Sequence, residues 1–144
     1  MADIFPVVCT DEIEASRDFY AGLLGLDVVL ECGWYTLLRT PGAPDAQLGL
    51  VTRGHPSVPE GFGRPPQGVL VTVEVEDVDA VHARALAVGL AIVQELRDEP
   101  FGQRHFMTTD PDGALVDVVT PIPLSPAFAR EVAALRRARR AGRS

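Results

Sequence analysis

The sequence predicts an α+β fold in which two tandem βαβββ modules form a curved mixed-sheet cleft, followed by a C-terminal helix. Three observations predict this fold: the order strand, helix, three strands occurs twice, each helix has recognisable end signals, and a Gly/Pro-rich stretch separates the copies. We divide the chain into a first module at 1–52, a linker at 53–68, a second module at 69–122, and a C-terminal helix with a basic tail at 123–144. Together they are expected to form one compact domain.

The first module begins with a short apolar strand at 4–9 and an amphipathic helix at 13–24. Thr10 or Asp11 can cap this helix at its N-terminus, and Gly25 ends it. Turn residues, including the stretch 41–45, separate the strands that follow. These strands are predicted at 26–31, 34–39 and 47–52.

The second module repeats this order after the linker. Asp77 caps its helix and Gly89 stops it. The predicted elements are a strand at 69–75, the helix at 78–88, and strands at 91–96, 103–109 and 115–120. The linker, 53–68, contains turn and polar residues without periodic apolar positions, so we interpret it as a connection, a pocket flap, or both.

The repeat is visible in individual residues as well as in the order of elements. Residues 11–15 (DEIEA) match 76–80 (EDVDA), and residues 48–52 (LGLVT) match 116–120 (VDVVT). Neither copy alone can bury the open face of its small sheet, so we expect the two sheets to close on each other around a cleft.

Composition excludes several classes of function. The net charge of −7 argues against nucleic-acid binding, and the absence of lysine excludes Schiff-base chemistry on a side chain and a phosphate-loop lysine. No apolar run approaches the roughly 20 residues that span a bilayer, so we expect a cytoplasmic protein without a membrane partner. Cys9 and Cys32 lack histidines at metal-motif spacing; we interpret them as reduced thiols, with a reactive thiol as the alternative.

Several segments resemble the vicinal oxygen chelate superfamily. The segments are Phe19-Tyr20 followed by Leu24-Gly25-Leu26, the stretch 75–80 (VEDVDA), and Asp110-Pro111-Asp112-Gly113 before the last strand. That superfamily includes glyoxalase I, extradiol dioxygenases, fosfomycin-resistance enzymes and the bleomycin- and mitomycin-binding resistance proteins. The resemblance covers residues 4 to about 122. It implies the paired-module fold, which hosts both metal enzymes and metal-free binders.

The resemblance also implies four metal-ligand positions, on the first, fourth, fifth and eighth strands. In this chain they fall on Phe5, Gly49, Leu70 and Asp117, and only Asp117 has a ligating side chain. One carboxylate is too few, because catalytic metal sites usually supply three protein ligands. We therefore expect no metal and no other cofactor.

Strand alternation identifies further candidates. Gln103, His105 and Met107 share one face of their strand, and the resemblance places that face in the cleft. By the symmetry of the repeat, Tyr35 and Arg39 enter the cleft from the other module. We consider Arg39 as the ion-pair partner of Asp117, with a purely structural pair as the alternative.

Two loop aromatics, Phe62 and Phe101, are placed at the rim of the cleft because exposed loop aromatics are often contact residues. We assign no catalytic residue and no metal ligand. The candidate ligand-binding set is Phe5, Tyr35, Arg39, Phe62, Leu70, Phe101, Gln103, His105, Met107 and Asp117.

The function that we expect is metal-independent binding of an organic small molecule, with sequestration of an antibiotic or a related metabolite as the sharpest form. The alternative is a glyoxalase-like lyase, isomerase or dioxygenase with an atypical or metal-free site. It would be either a metal-free lyase or isomerase in which His105 and Asp117 act as acid and base, or a metal enzyme with its ligands at other positions. A helix at about 125–140 has the apolar stripe Phe128, Val132 and Leu135, followed by arginines. This surplus of apolar side chains predicts a two-fold homodimer.

Overall fold

The computed structural model of the chain describes residues 3–143, apart from the side chains of Pro44 and Asp45. The helices are α1 Ile13–Asp18, α2 Val78–Ala87 and α3 Pro126–Ala141. A π-helical segment, Phe19–Leu23, continues α1. The strands are β1 Val7–Thr10, β2 Asp27–Cys32, β3 Tyr35–Thr40, β4 Ala43–Thr52, β5 Leu70–Glu74, β6 Ile92–Glu99, β7 Gln103–Thr109 and β8 Leu115–Pro121.

The strands form two four-stranded mixed sheets with the same topology, as the repeat predicts. Sheet 1 has the order β1-β4-β3-β2 and sheet 2 the order β5-β8-β7-β6. In each sheet the first strand of the module pairs in parallel with the last one, while the other pairs are antiparallel. The α+β prediction of two βαβββ modules and a C-terminal helix is confirmed.

Several predicted boundaries need correction. The strand predicted at 91–96 is β6, which runs to Glu99. Neither Thr10 nor Asp11 is the N-cap of α1, because that position is Glu12, which makes no side-chain capping hydrogen bond.

The first strand begins at Val7, so Phe5 lies before it. β4 begins at Ala43, within the stretch that we predicted as a turn, because the ladder to β3 resumes with the pair Thr40 and Ala43. The first helix is not α-helical throughout, since its last turn is the π-helical segment.

The helices cover one face of each sheet, and a shared apolar core lies beneath them. Asp77 caps α2 as predicted, because its Oδ1 accepts a hydrogen bond from the Ala80 backbone N–H at 3.1 Å. The core contains residues of both modules, including Tyr20, Leu38, Val81, Phe106 and Val118.

The modules also meet through side chains of the first helix and the turn between β7 and β8. Tyr20 Oη donates to Asp110 Oδ2 at 2.9 Å, and Ser16 Oγ donates to Asp112 Oδ2 at 3.2 Å. Arg84 on α2 donates to the Leu23 carbonyl at 3.1 Å. The segment Phe19-Tyr20 of the first module and the segment Asp110-Pro111-Asp112-Gly113 of the second module thus lie on the two sides of one hydrogen-bonded interface.

Among residues 3–143, no helix is long and apolar enough to cross a membrane.

Candidate functional site

The face of sheet 2 that lies opposite α2 carries most of the predicted site. Its members follow from the strand register, in which Met107 is opposite Asp117 and His105 is opposite Val119. Across the parallel pair, Thr72 is opposite Asp117. Residues opposite each other in a ladder point to the same side, so Gln103, His105, Met107 and Asp117 share this face. We call it the open face of sheet 2.

His105 and Asp117 form the central polar pair of this face. His105 Nδ1 lies 2.8 Å from Asp117 Oδ1. The two residues are 3% and 4% exposed. A carboxylate oxygen accepts hydrogen bonds, so Nδ1 is the donor. The ion pair of Asp117 with Arg39 that we considered is not formed. His105, on the neighbouring strand of sheet 2, is the partner of Asp117 instead.

The second ring nitrogen of His105 meets two residues of β6. Gln94 Nε2 lies 3.1 Å from His105 Nε2, and Glu99 Oε1 lies 3.6 Å from it. An amide nitrogen donates hydrogen bonds, so Nε2 is the acceptor in this contact. A carboxylate lies near each ring nitrogen of His105, Asp117 at Nδ1 and Glu99 at Nε2.

Sequence reasoning missed Gln94 and Glu99. Simple alternation along β6 fails because the β6–β7 register shifts twice, between Ile92 and Gln94 and again between Gln94 and Arg97. An extra residue at each shift changes which side chains share a face. Their signal in the sequence was only a polar, alternating strand next to a strand that contains His105.

Phe101 lies where the prediction placed it, in the loop between β6 and β7. Its ring is 6.2 Å from the ring of His105 and 6.4 Å from that of Phe128, in both cases edge-on. It is 44% exposed. Phe101 therefore joins the polar pair to the start of α3 and leaves part of its ring accessible.

Sheet 1 has a matching open face, formed by Tyr35, Arg39 and Gly49. Gly49 is opposite Leu37 and Val7, and Arg39 is opposite Gln47. A Cβ added at Gly49 would lie 2.7 Å from Tyr35 Oη and 2.9 Å from Val7 Cγ2. The phenol of Tyr35 thus occupies the space that a side chain at position 49 would need.

Arg39 is half-buried on the same face. Its Nε is buried and has no hydrogen-bond partner among the described residues. A buried guanidinium N–H without a partner is costly, so a ligand or a neighbouring molecule that supplies an acceptor would be favoured here.

The side chains of this chain can be compared with the metal-ligand positions that the family resemblance implies. Gly49 and Asp117 occupy equivalent places, since each pairs in parallel with the first strand of its own module. Gly49 offers no ligand, and the Asp117 carboxylate is already bonded to His105.

The first-strand positions add no ligand either. Phe5 precedes β1, and Leu70 is opposite Leu115. The residues directly beside Gly49 and Asp117 are Val7 and Thr72. Within residues 3–143, no group of three or more His, Cys, Asp or Glu side chains is placed to hold a metal ion. At the ligand positions that the resemblance implies, only one engaged carboxylate and a neighbouring hydroxyl remain, and this set does not fit a divalent metal centre.

The linker folds back on itself beside β1. Its ends approach each other, with the Gly54 N–H donating to the Gly63 carbonyl at 2.9 Å. The ring of His55 stacks on Trp34 at 3.8 Å, with the planes 3° apart. Phe62, 75% exposed, lines a cavity of about 680 Å³ between the linker, β1 and the β7–β8 turn.

Leu70 lines a different cavity. This groove, about 640 Å³, runs between the free edge of β5 and the first half of β4. It is mostly apolar, with Ile4, Pro6 and Leu26 on the side of sheet 1. Leu70 and Phe62 are therefore accessible, but each in its own cavity.

The structure thus divides the predicted set into separate groups. Gln103, His105, Met107 and Asp117 share one face with Phe101 beside it, whereas Tyr35 and Arg39 lie on sheet 1. Among the residues that the structure describes, no hydrogen bond, ion pair or ring contact joins Tyr35 or Arg39 to the His105 group. The contacts between the modules run through the helices and the β7–β8 turn instead.

Comparison with known proteins assigns the chain to a family. Residues 5–118 match the Glyoxalase/Bleomycin resistance protein/Dioxygenase superfamily. The chain belongs to this superfamily. The sequence resemblance is thereby confirmed.

Two curated proteins and one solved structure are similar to this member of the superfamily. The glyoxylase-type protein CFP32 of Mycobacterium tuberculosis is 30% identical over 122 residues, which cover 83% of this chain and 44% of CFP32. The anthracycline biosynthesis protein DnrV of Streptomyces peucetius is 35% identical over 117 residues, 76% of this chain and 38% of DnrV. TnmS3, an antibiotic binding protein from Streptomyces sp. CB03234, is 25% identical with a TM-score of 0.65, covering 84% of this chain and 96% of TnmS3.

The chain spans less than half the length of the two curated relatives. It spans nearly the whole of TnmS3. The match therefore covers nearly all of an antibiotic binding protein, but less than half of each curated relative.

Proposed function

We propose that the chain binds an organic small molecule on the open face of sheet 2 without a bound metal. The ligand class that we infer is an antibiotic or a related aromatic metabolite. The observation that carries this proposal is the His105–Asp117 hydrogen bond: it engages the carboxylate in the place where the metal enzymes of the superfamily need a ligand. What remains around it is an aromatic and polar surface of the kind that binds organic ligands.

The side chains of this face suit a planar, oxygen-rich molecule. Phe101 and Met107 offer apolar contacts, because a thioether and a ring edge both interact favourably with aromatic systems. Gln103 offers an amide donor and acceptor. The antibiotic-binding function of TnmS3 and the anthracycline pathway of DnrV support the same ligand class.

We further propose a homodimer in which a second copy completes each cleft. The two halves of the predicted site are not in contact within one chain, and several apolar side chains next to them are exposed. These are Val7, Leu30, Val69 and Leu70, each between 46% and 55% exposed. An exposed apolar surface of this kind favours association. Two free thiols, Cys9 and Cys32, are consistent with a cytoplasmic location, where thiols stay reduced.

The geometry also favours one alternative, acid–base catalysis. A histidine oriented by a carboxylate through Nδ1, with Nε2 towards Glu99 at 3.6 Å, can take and return a proton. Under this alternative the chain is a metal-free lyase or isomerase. It predicts turnover that disappears in H105N, whereas a binder gives a complex with unchanged ligand.

A thermal-shift screen tests the proposal. Protein dialysed against a chelator is heated with anthracyclines, bleomycin and mitomycin, and with glutathione adducts as enzyme-type ligands. A ligand at 100 times its Kd stabilises the fold by about 2.7 kcal/mol, which raises the Tm of a domain this size by roughly 5–10 °C. A shift that appears only after Zn²⁺, Ni²⁺ or Mn²⁺ is added would overturn the metal-free assignment.

A further inference from the structure

The C-terminal segment and the rest of the chain have opposite charges. Residues 123–144 contain six arginines and one glutamate, a net charge of +5. Residues 1–122 contain seven arginines and 19 aspartates and glutamates, a net charge of −12, which together with the segment gives the −7 of the whole chain. A strongly acidic body thus carries a short, strongly basic arm.

The arm contacts the body near its start. Ser125 caps α3 by accepting from the Phe128 N–H at 3.1 Å, and Phe128 contacts Phe101. No residue of α3 is buried. Leu135, two turns after Phe128 on the same apolar stripe, is 63% exposed. The apolar stripe therefore continues beyond the part of the helix that contacts its own chain.

The arginines of α3 border a shallow apolar groove. The groove, about 380 Å³, is lined by Leu124, Ala129, Val132 and Ala133, with Arg136, Arg137 and Arg140 beside them. Arg136 and Arg140 are four residues apart and so share a helix face. Among residues 3–143, no ion pair involves an arginine of the segment 123–143.

The body has a complementary surface at the start of α2. Glu74, Glu76 and Asp77 line a cavity of about 370 Å³ whose apolar lining includes Leu24, Leu26, Val73 and Val75. Glu74 and Glu76 are exposed, and neither forms an ion pair among the described residues. Arg84, the cation of this cavity, is held by the Leu23 carbonyl. We call this surface the acidic groove.

We propose that α3 of one copy docks in the acidic groove of a second copy. The apolar stripe lies on the groove floor, and Arg136 and Arg140, which flank the stripe on one side of the helix, face Glu74 and Glu76. Both surfaces lie on one chain but are not in contact within it, so a two-fold dimer satisfies both twice. A second copy is favoured over nucleic acid or an anionic membrane because the body, at −12, repels polyanions and attracts the arm. The inference rests on the proposed homodimer and identifies the surface that holds it together.

Sedimentation equilibrium of three full-length variants tests the docking. R136E/R140E reverses the two arm charges that face the groove, and E74R/E76R reverses the groove. E60R/E95R changes the charge by the same amount as the groove variant, at two exposed glutamates outside both surfaces. A two-fold dimer contains the contact twice and therefore four of these exposed ion pairs. At about 0.2–1 kcal/mol for each pair, reversal of either surface corresponds to a dimer Kd roughly fourfold weaker or more. We expect E60R/E95R to dimerise like the parent protein. Raising the salt concentration from about 0.05 to 0.5 M should weaken the parent dimer, since the Debye length falls several-fold.

A mixing experiment gives the sharpest outcome. The arm variant and the groove variant should each be weakly dimeric alone, and their mixture should recover a heterodimer in which reversed arm meets reversed groove. Dimers of unchanged affinity in both variants would overturn the docking while leaving a homodimer, and the ligand proposal, in place. A monomeric parent protein would remove both the dimer and the docking. Binding of the arm to DNA or to anionic vesicles, together with a dimer that is unaffected when the arm charges are reversed, would also overturn the docking.

Discussion

His105 and Asp117 bond diagonally across two adjacent strands, with 2.8 Å between Nδ1 and Oδ1. Neither residue is the register partner of the other, because His105 is opposite Val119 and Asp117 is opposite Met107. Both side chains are almost completely buried. Each member of this buried pair supplies the hydrogen-bond partner of the other. Removal of either member therefore leaves the other without its main partner.

Replacement of Asp117 should reveal that dependence. D117A leaves the Nδ1–H of His105 unpaired and should cost about 1–3 kcal/mol in the free energy of unfolding. D117N retains a carbonyl acceptor and should cost less. Urea denaturation of the two variants measures the difference, and the loss should shrink when His105 is already changed to Phe. Equal costs for D117A in both backgrounds would show that the bond does not contribute.

Gly49 gives a second test, which concerns space and not hydrogen bonding. A methyl group at this position would meet Tyr35 Oη at 2.7 Å and Val7 Cγ2 at 2.9 Å. Overpacking of this kind costs about 1–3 kcal/mol, so we expect G49A to be destabilised by that amount. The double variant G49A/Y35F removes the nearer atom and should recover part of the loss in thermal unfolding.

Gly33 supplies the matched control for Gly49. A Cβ added at Gly33 meets nothing within 4 Å, and its φ is not positive. G33A should therefore leave the Tm almost unchanged. If G49A were as stable as G33A, Tyr35 would not fill the space at position 49. A metal-ligating side chain at that position would then be sterically possible.

The Tyr20–Asp110 bond links the two modules and should make stability depend on pH at the alkaline end. Burial raises the pKa of the Tyr20 phenol well above its usual value, and the neighbouring Asp110 carboxylate raises it further. Above about pH 10 the unfolded chain releases this proton while the folded chain keeps it, so stability falls with rising pH. The fall should be about 1.4 kcal/mol per pH unit for this group.

Y20F isolates that contribution. At neutral pH the variant should lose about 1.5–3 kcal/mol, the range for a hydrogen bond to a charged group. Above pH 10 the gap between parent and variant should narrow, because the phenylalanine side chain of the variant has no proton to lose. Parallel denaturation curves at about pH 7 and about pH 10.5, on either side of the usual tyrosine pKa, measure this gap; a constant gap would contradict the assigned protonation.

The Trp34–His55 stack makes the linker visible by fluorescence. Trp34 is the single tryptophan of the chain, and the ring of His55 covers one of its faces at 3.8 Å. H55A should shift the emission to longer wavelength through greater hydration, while the free energy of unfolding changes by less than about 1 kcal/mol, as for most surface substitutions. An unchanged spectrum would mean that the linker does not rest on Trp34 in solution.

The sequence predicted the fold well because the repeat is encoded by local signals. The repeated order of elements located β7 at its observed bounds, and the capping residue Asp77 located the start of α2. The face shared by Gln103, His105 and Met107 followed from the two-residue period of a strand.

Contacts between strands were harder to predict. The partner of Asp117 depends on the register of β7 against β8, which a single sequence does not specify, and so Arg39 was considered in place of His105. Glu99 was missed because the predicted strand ended at Leu96, three residues before the end of β6, and because the register shifts of β6 break its alternation. The folded linker, with His55 on Trp34, is held by turns and one ring stack that leave no periodic signal.

Isothermal titration of chelator-dialysed protein with an anthracycline tests the central claim most directly, with parent protein and the variants M107W and E95R compared. We predict one ligand per chain and the same Kd before and after addition of divalent metal. M107W should lose binding, because the larger side chain fills the open face of sheet 2. E95R should bind like the parent protein, because Glu95 is exposed elsewhere on β6. Heat of binding that requires added metal, or a Kd that M107W leaves unchanged, would contradict a metal-free binding site on that face.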